Sequence, residues 1–583
     1  MTRLRGRASL MVIVMISFTL LIITYHILSN EVEDISSNKL NPRLKIEEVY
    51  PLSDLTENPR SIAKKQQIET RILSKLKNGG GTLFGDLNYG KSYADTVPLF
   101  KGQKIVHLDL KGAPPKVSYY KYLLNLLKKL GATGVLIEYE DMFPFDGQLR
   151  NISASNCYSK KDIQDIQEIA EENKLTVIPL VQTFGHMEFV LKLDAYKDYR
   201  EVPHYPQVLC PTYNKTLPLI FDMIDQVMAA HPAVKHLHIG ADEVYQIGEC
   251  TRCLETMVKR QWGKKQLFLD HVTKVARYIK DKYPELVVLM WDDEFREIFP
   301  HEIINRGLHS MVEPVIWKYT TDPGATLNDQ LWESYATVWK DVWVATAFKG
   351  ATLPDRYYTD LAYHMENHQR WLEIISRYSN QITFKGVMLT GWQRYDHFSV
   401  LCELLPVALP SLAVNLAILQ APELNRFPVN VPTPVMQALR CEGIISLTVP
   451  EPHYGWAKCS YQGVSIYAIV LRLFSLTQEV QKMEQDNTFK GWLKPYNIKH
   501  SFSSPVHVER AVADLDRHKM ELIYIEKEMR NAMEDIYDNY TIQEWIETYL
   551  VPLNDKFTEL SEAKTKLLEK NVWPRRPLKY SEL

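Results

Sequence analysis

The chain has 583 residues, 45% of them apolar, enough to bury one large α/β domain with additions. Its 68 basic and 71 acidic side chains leave a net charge of −3 with no basic block, which excludes nucleic acid as an electrostatic partner.

The first element is a membrane signal. Arg3, Arg5 and Arg7 precede an uncharged apolar run over 8–25 that continues weakly to Leu28, and about 20 such residues span a bilayer. The run predicts a signal anchor at 8–28. The arginines before it and Glu31, Glu33 and Asp34 after it place residues 1–7 in the cytosol, giving a type II membrane protein with its body in the Golgi lumen or at the cell surface. A cleaved signal peptide and a secreted protein is the alternative, but Thr24-Tyr25-His26-Ile27-Leu28 offers no small-x-small cleavage site. Three N-glycosylation sequons, at Asn151, Asn214 and Asn539, fit the lumenal topology.

Residues 29–100 are polar and carry Asn78-Gly79-Gly80-Gly81, which reads as a stem with a short helix near 61–77. A different rhythm follows. Short β-branched or apolar runs recur at 105–110, 134–140, 176–183, 236–243, 287–293, 311–319, 342–349 and 386–392, with amphipathic helical stretches such as 119–130, 160–172 and 217–230 between several of them. Eight such units predict a (β/α)8 TIM barrel over 101–420. A doubly wound open sheet also alternates strands and helices, but it carries a Gly-rich phosphate turn after its first strand, and this chain has Leu108-Asp-Leu-Lys-Gly-Ala-Pro-Pro115 there. Beyond 420 the strand rhythm stops. Segments 465–478, 508–538 and 542–570, the last broken at Pro552, predict a helical C-terminal extension over 421–583.

The predicted strands end in chemistry. Their last residues include Asp109, Glu140-Asp141, Gln182, Asp242-Glu243, Trp291-Asp292-Asp293, Trp317-Lys318-Tyr319, Lys349 and Trp392 to Asp396, and the strand ends are where barrels build active sites. The fourth run, His236-Leu-His-Ile-Gly-Ala-Asp-Glu243, closes on two consecutive carboxylates. Paired glycosidase carboxyls stand about 5–5.5 Å or 6.5–9.5 Å apart across a sugar, a placement that neighbours in sequence cannot take. The doublet therefore suits a divided task. Glu243 protonates the leaving oxygen and later acts as base, while Asp242 orients a 2-acetamido group whose carbonyl oxygen attacks the anomeric carbon. An isolated Asp-Glu pair is more commonly a helix cap or surface pair, and its position at a strand end is what argues for function.

The blocks Val106-His-Leu-Asp-Leu-Lys-Gly-Ala-Pro-Pro-Lys116, Glu138-Tyr-Glu-Asp-Met-Phe-Pro144, Pro179-Leu-Val-Gln-Thr-Phe-Gly-His-Met-Glu188, His238-Ile-Gly-Ala-Asp-Glu243 and Thr390-Gly-Trp-Gln-Arg-Tyr-Asp-His397 resemble glycoside hydrolase family 20 across about 105–420. The resemblance implies a β-N-acetylhexosaminidase that retains anomeric configuration, needs no cofactor, and gives Asp242 and Glu243 the roles just described. It implies further that His186 tunes Glu243 and that Trp291, Trp317 and Trp392 wall the acetamido and ring pocket. Asp109 and Lys111 stand where many relatives place a sugar-binding arginine. The tyrosine that commonly holds the acetamido oxygen is missing from the seventh run, leaving Tyr319 or Tyr395 for that task, and Glu140 is the choice for a ring hydroxyl.

Of the seven cysteines, an odd number, at least one is unpaired within the chain. Cys250-Thr-Arg-Cys253 has no second pair after it, so a disulfide is expected there in an oxidising lumen, with no metal. The expected partners are glycans ending in N-acetylgalactosamine or N-acetylglucosamine and the membrane at the anchor; the sequence allows a homodimer. Two rivals stand: a conventional two-carboxylate glycosidase using Glu243 with Asp292 or Asp293, and a non-catalytic sugar-binding protein of the same fold.

Overall fold

The computed structural model describes residues 100–421 and 428–578. The expected cytosolic tail, signal anchor, stem and helix near 61–77 lie outside the described residues. Among the described residues no helix is long and apolar enough to cross a membrane.

Ten strands form. They are β1 (Gln103–Asp109), β2 (Gly134–Glu138), β3 (Thr176–Leu180), β4 (Arg200–Val202), β5 (Tyr205–Leu209), β6 (His236–His238), β7 (Val287–Trp291), β8 (Val312–Trp317), β9 (Asp341–Lys349) and β10 (Thr383–Gly391). Eight of them close a parallel barrel in the order β1-β10-β9-β8-β7-β6-β3-β2, and each predicted run supplies one. Strands covered on both faces must be apolar on both, which is why these segments read as runs and not as alternations. Ile105, Leu136, Ile178, Leu289, Val315 and Met388 fill the barrel interior, while a second layer packs the outer faces under the helices. Trp343 fits inside because its register partner on β10 is Gly386, where a Cβ would lie 2.3 Å from the Trp343 ring.

The strands stop earlier than the sequence runs. The run 236–243 is a strand only to His238, because Gly240, Ala241 and Glu243 take positive φ of 61°, 65° and 51°. The second run likewise leaves the ladder at Glu138, with Glu140 at φ 47°. Apolar residues just past the ladder, such as Tyr139, Val181 and Ile239, stay buried in the outer layer. The hairpin β4–β5, which pairs antiparallel beside the barrel, was not foreseen from the sequence.

The helix Lys160–Glu172 starts on a capping box between Ser159 and Asp162, satisfying amides that its first turn leaves open. The last barrel helix, Leu405–Ile418, is buried on every side because it lies between β9 and the helix Val464–Gln485. The C-terminal helices Val464–Gln485, Leu515–Glu534, Asn539–Tyr549 and Val551–Leu568 follow the predicted segments, and the break falls just before Pro552, at the second position of the last helix. They pack on the barrel as one compact unit with it. Arg394, just past β10, forms a bidentate ion pair with Glu544 and donates from Nε to the Lys111 carbonyl at 2.9 Å, so the extension braces the first strand end.

Candidate active site

The mouth of the barrel gathers the strand ends into one buried charged network. At its centre His186 Nε2 lies 3.0 Å from Glu243 Oε2 and 3.6 Å from Asp242 Oδ2. His186 has φ 51°, so Glu140, His186, Ala241 and Glu243 are four non-glycine residues held in the left-handed region at one site. Each such conformation costs on the order of 1–3 kcal/mol, and persists where the surroundings fix it. Here Gly185 backs directly onto the doublet, where a Cβ would meet the Asp242 carbonyl at 1.9 Å.

Asp242 and Glu243 face different surroundings. The Asp242 side chain is 8% exposed and that of Glu243 is 28%, so the aspartate is sealed below and the glutamate reaches the opening. Gln182 Nε2 donates to Asp242 Oδ1 at 3.2 Å and to Glu138 Oε1 at 3.3 Å, joining the doublet to the first two strands. Beyond Glu138, Lys111 Nζ reaches Asp109 at 3.1 Å, Glu138 at 3.4 Å and Glu140 at 3.7 Å. Burial opposes the charge on Glu138, yet Lys111 and His107 outweigh it and hold that carboxyl well below the usual range. Glu140 is held from its other side by His397 Nδ1 at 2.8 Å.

Burial pushes Asp242 up to about 8, with Asp293, Glu243 and Glu138 adding to it against the pull of His186. On Glu243 burial acts the same way but is outweighed by His186 and by a hydrogen bond from the Tyr245 hydroxyl, so its carboxyl sits below the ordinary value. Burial also opposes the His186 imidazolium, and Asp242, Glu243 and Glu188 together hold it well above the usual histidine range. The two carboxyls of the doublet are thus pushed in opposite directions, with His186 between them.

Aromatic rings cluster near the doublet. Trp291 and Trp392 lie 5.9 Å apart, Trp317 stacks on Tyr319 at 5.3 Å, and Tyr319 meets Trp392 edge-on at 6.3 Å. The rings make three walls whose faces suit the C–H faces of a sugar or a methyl group. Tyr319 also feels the charges of Asp242 and Glu243. Tyr395 is not brought to this cluster; its neighbours are Cys402, Glu403 and Tyr363. Asp109, whose Oδ2 accepts from the Gln393 amide at 2.7 Å, and Glu140 sit at the far end of the network from Glu243.

Sequence reasoning gave no role to Glu138 or Tyr245, and named Asp293 only as a partner of Glu243 in the two-carboxylate rival. Asp293 Oδ2 accepts from the Glu243 amide at 2.8 Å and its Oδ1 accepts from Trp317 Nε1 at 3.1 Å, fixing Glu243 and Trp317 together. Glu138 and Asp293 lie inside strand-end runs that the sequence did mark, whereas nothing local distinguishes Tyr245. A separate cavity of about 490 Å³, between the helices Val464–Gln485 and Leu515–Glu534, is lined by Gly463, Arg472, Glu528 and Asp535 and holds no comparable network.

The chain matches the family described as "Glycosyl hydrolase family 20, catalytic domain" over residues 126–344. It is 39% identical to hexosaminidase D of Homo sapiens over 455 residues, covering 77% of this chain and 91% of that protein. It is 46% identical to hexosaminidase D of Bos taurus over 316 residues, covering 54% of this chain and 90% of that one. Among solved structures, the β-N-acetylhexosaminidase from Bacteroides fragilis NCTC 9343 is similar at 16% identity and a TM-score of 0.42, covering 55% of this chain and 66% of that chain.

Proposed function

Since the chain belongs to glycosyl hydrolase family 20 and is a β-N-acetylhexosaminidase, we propose that it releases terminal N-acetylgalactosamine or N-acetylglucosamine by substrate-assisted, retaining hydrolysis, with Glu243 as acid and base and Asp242 orienting the acetamido group. The observation that carries this reading is the unequal pair itself. Asp242 is buried beside the tryptophan walls and Glu243 opens outward, while the histidine between them touches both.

When a 2-acetamido sugar enters, its N–H needs an anion at Asp242 and its glycosidic oxygen needs a proton from Glu243. His186 Nε2, hydrogen-bonded to Glu243 Oε2 at 3.0 Å and 3.6 Å from Asp242 Oδ2, lies between the two carboxyls and favours the anion on Asp242. The carbonyl oxygen of the acetamide then attacks C1 as the C1–O bond breaks and Glu243 protonates the departing oxygen. Asp242 balances the positive charge of the resulting oxazolinium ion, in a cavity where exclusion of water strengthens that interaction. Glu243, now ionised, takes a proton from water, whose oxygen adds to C1 and reopens the ring. Tyr319 is the better placed of the two tyrosines to hold the acetamido oxygen.

The conventional two-carboxylate alternative finds no free partner for Glu243. Asp292 is fully buried, paired to Arg296 at 2.6 and 2.8 Å and hydrogen-bonded by the Tyr335 hydroxyl at 2.9 Å. Both oxygens of Asp293 accept hydrogen bonds. The discriminating experiment is hydrolysis of paired aryl β-glycosides of N-acetylgalactosamine and N-acetylglucosamine beside the same sugars bearing a 2-hydroxyl. Turnover is expected with at least one acetamido sugar, falling by about 10³-fold or more without the acetamide, together with competitive inhibition by a thiazoline that mimics the oxazolinium ion. Equal rates on 2-hydroxy sugars would overturn acetamide participation; binding without any turnover would favour the non-catalytic reading. The ratio of kcat/KM for the two acetamido sugars assigns the O4 preference.

The same proposal includes the type II topology, with residues 8–28 as anchor and the barrel in the lumen or outside the cell. Asn151, Asn214 and Asn539 are all exposed, which supports their use as glycan acceptors. The full-length chain from cells is expected to stay with membranes through alkaline carbonate extraction and to lose mass on treatment with an N-glycan-releasing amidase. A chain recovered in the soluble fraction without glycan would sink this topology.

A further inference from the structure

Away from the catalytic network, four side chains converge that the sequence had left apart. Cys250 and Cys253 remain thiols, as does Cys210; among the described residues the one disulfide joins Cys441 to Cys459. Cys210 Sγ lies 3.4 Å from Cys250 Sγ and 3.7 Å from Cys253 Sγ, and Cys253 Sγ lies 3.1 Å from Glu201 Oε2. One ligand atom from each of the four falls within 4.8 Å of the others. Tetrahedral zinc with Zn–S of about 2.3 Å and Zn–O of about 2.0 Å requires S···S separations near 3.8 Å and S···O near 3.5 Å. The observed spacings match a site that needs only slight adjustment. Three thiolates and one carboxylate are a donor set that favours zinc over hard cations.

The surroundings are built as ligand supports. Glu201 is fully buried, and its other oxygen, Oε1, accepts from the Glu249 and Cys250 amides at 2.7 and 3.0 Å, which leaves Oε2 turned toward the sulfurs. Cys250 caps the helix Thr251–Arg260 and its sulfur accepts from the Cys253 amide at 3.4 Å, so the positive end of the helix dipole and an N–H both favour thiolate there. The guanidinium of Arg252 adjoins Cys210 and Cys250 and offsets part of the charge that three thiolates and a carboxylate leave around a divalent ion. A disulfide between any two of the sulfurs would strand the third against a buried carboxylate, an arrangement with nothing to compensate it.

We propose that Glu201, Cys210, Cys250 and Cys253 bind one structural zinc ion that clamps the β4–β5 hairpin to the helix following the catalytic doublet. Glu201 lies on β4 and Cys210 directly follows β5, whose Gln207 carbonyl accepts from the amide of Met187, the neighbour of His186, at 2.9 Å. Cys250 stands seven residues after Glu243. The ion therefore ties together the two loops that carry His186 on one side and Asp242 and Glu243 on the other.

The test is made on the full-length protein purified without chelator from zinc-replete cells. Elemental analysis is expected to give about one zinc per chain. Exchange into cobalt should produce sulfur-to-cobalt charge-transfer bands and intense tetrahedral ligand-field bands. Cys210→Ser and Cys253→Ser should each lower zinc content at least tenfold, while Cys402→Ser should leave it intact. Should the first two variants fail to fold, the cobalt spectrum of the unaltered chain and the fall in its Tm on chelation carry the test alone. Zinc below a tenth of an equivalent with a Cys210–Cys250 or Cys250–Cys253 disulfide in the peptide map would overturn the proposal, as would free thiols that take up no cobalt. None of these readouts depends on turnover.

Discussion

Glu243→Gln is expected to reduce kcat toward glycosides with poor leaving groups by about 10³-fold, within the range ordinarily lost with a general acid. The geometry says why the loss should depend on the leaving group. Glu243 is the more exposed member of the doublet, which the proposed mechanism sets against the departing oxygen, and the amide of Gln has no proton of suitable acidity to give. An aryl oxygen that leaves readily as phenolate needs little protonation, so the loss for such substrates should be nearer tenfold, with KM little changed. The variant should also bring His186 down toward the ordinary histidine range, because one of the carboxylates that holds it up has gone. Parallel rate series over leaving groups of graded acidity provide the measurement. Equal losses across the series would remove Glu243 from the acid role, and near-normal rates throughout would remove it from catalysis.

Asp242→Asn is expected to pull activity and stability in opposite directions. Activity should fall by about 10²–10³-fold, the scale on which a positioned electrostatic group matters, and it should fall alike for good and poor leaving groups because the acetamide is lost as an oriented nucleophile in both. Stability should rise. Burial pushes Asp242 up to about 8 in the folded protein, well above a carboxyl in the unfolded chain. Below about pH 4 both states hold the proton and the group costs nothing. As pH climbs toward 8 the unfolded chain gives up its proton and the folded chain keeps it, so wild-type stability declines at about 1.4 kcal/mol per pH unit from this group, opposed in part by its attraction to His186. Asparagine has no such dependence. A melting series from pH 5 to pH 8 is therefore expected to show the variant gaining on wild type as pH rises, reaching about 1–3 °C at the alkaline end. A variant that loses stability relative to wild type with rising pH would contradict the raised Asp242 carboxyl.

Both expectations come from one difference in burial between adjacent residues, which no spacing rule could have supplied. The eight barrel strands were legible because each is covered on both faces and so must read as an apolar run. Their lengths were not. The backbone turns to positive φ at Glu140, Ala241 and Glu243 for the sake of neighbours distant in sequence, such as Gly185 against the Asp242 carbonyl. Trp291, Trp317 and Trp392 could be placed at strand ends from the sequence, but Tyr319 and Tyr395 could not be told apart, since the difference lies in where the turns after β8 and β10 send them.

The cysteines show the same limit in another form. Cys250 and Cys253, three apart in sequence, invite a disulfide when taken alone. The hairpin β4–β5, whose strands of three and five residues left no strong periodic trace, carries Glu201 and leads into Cys210 beside them, and it changes the chemistry that the pair can support.

By itself the sequence determined the barrel, its helical extension, the family and the strand-end doublet, because periodicity and local motifs are properties of neighbouring residues. Tertiary structure alone decided which carboxylate is sealed and which is open, which tyrosine faces the doublet, and that three thiols and a glutamate meet. Burial and electrostatics depend on distances between residues far apart in the chain, and those distances exist only once the barrel closes.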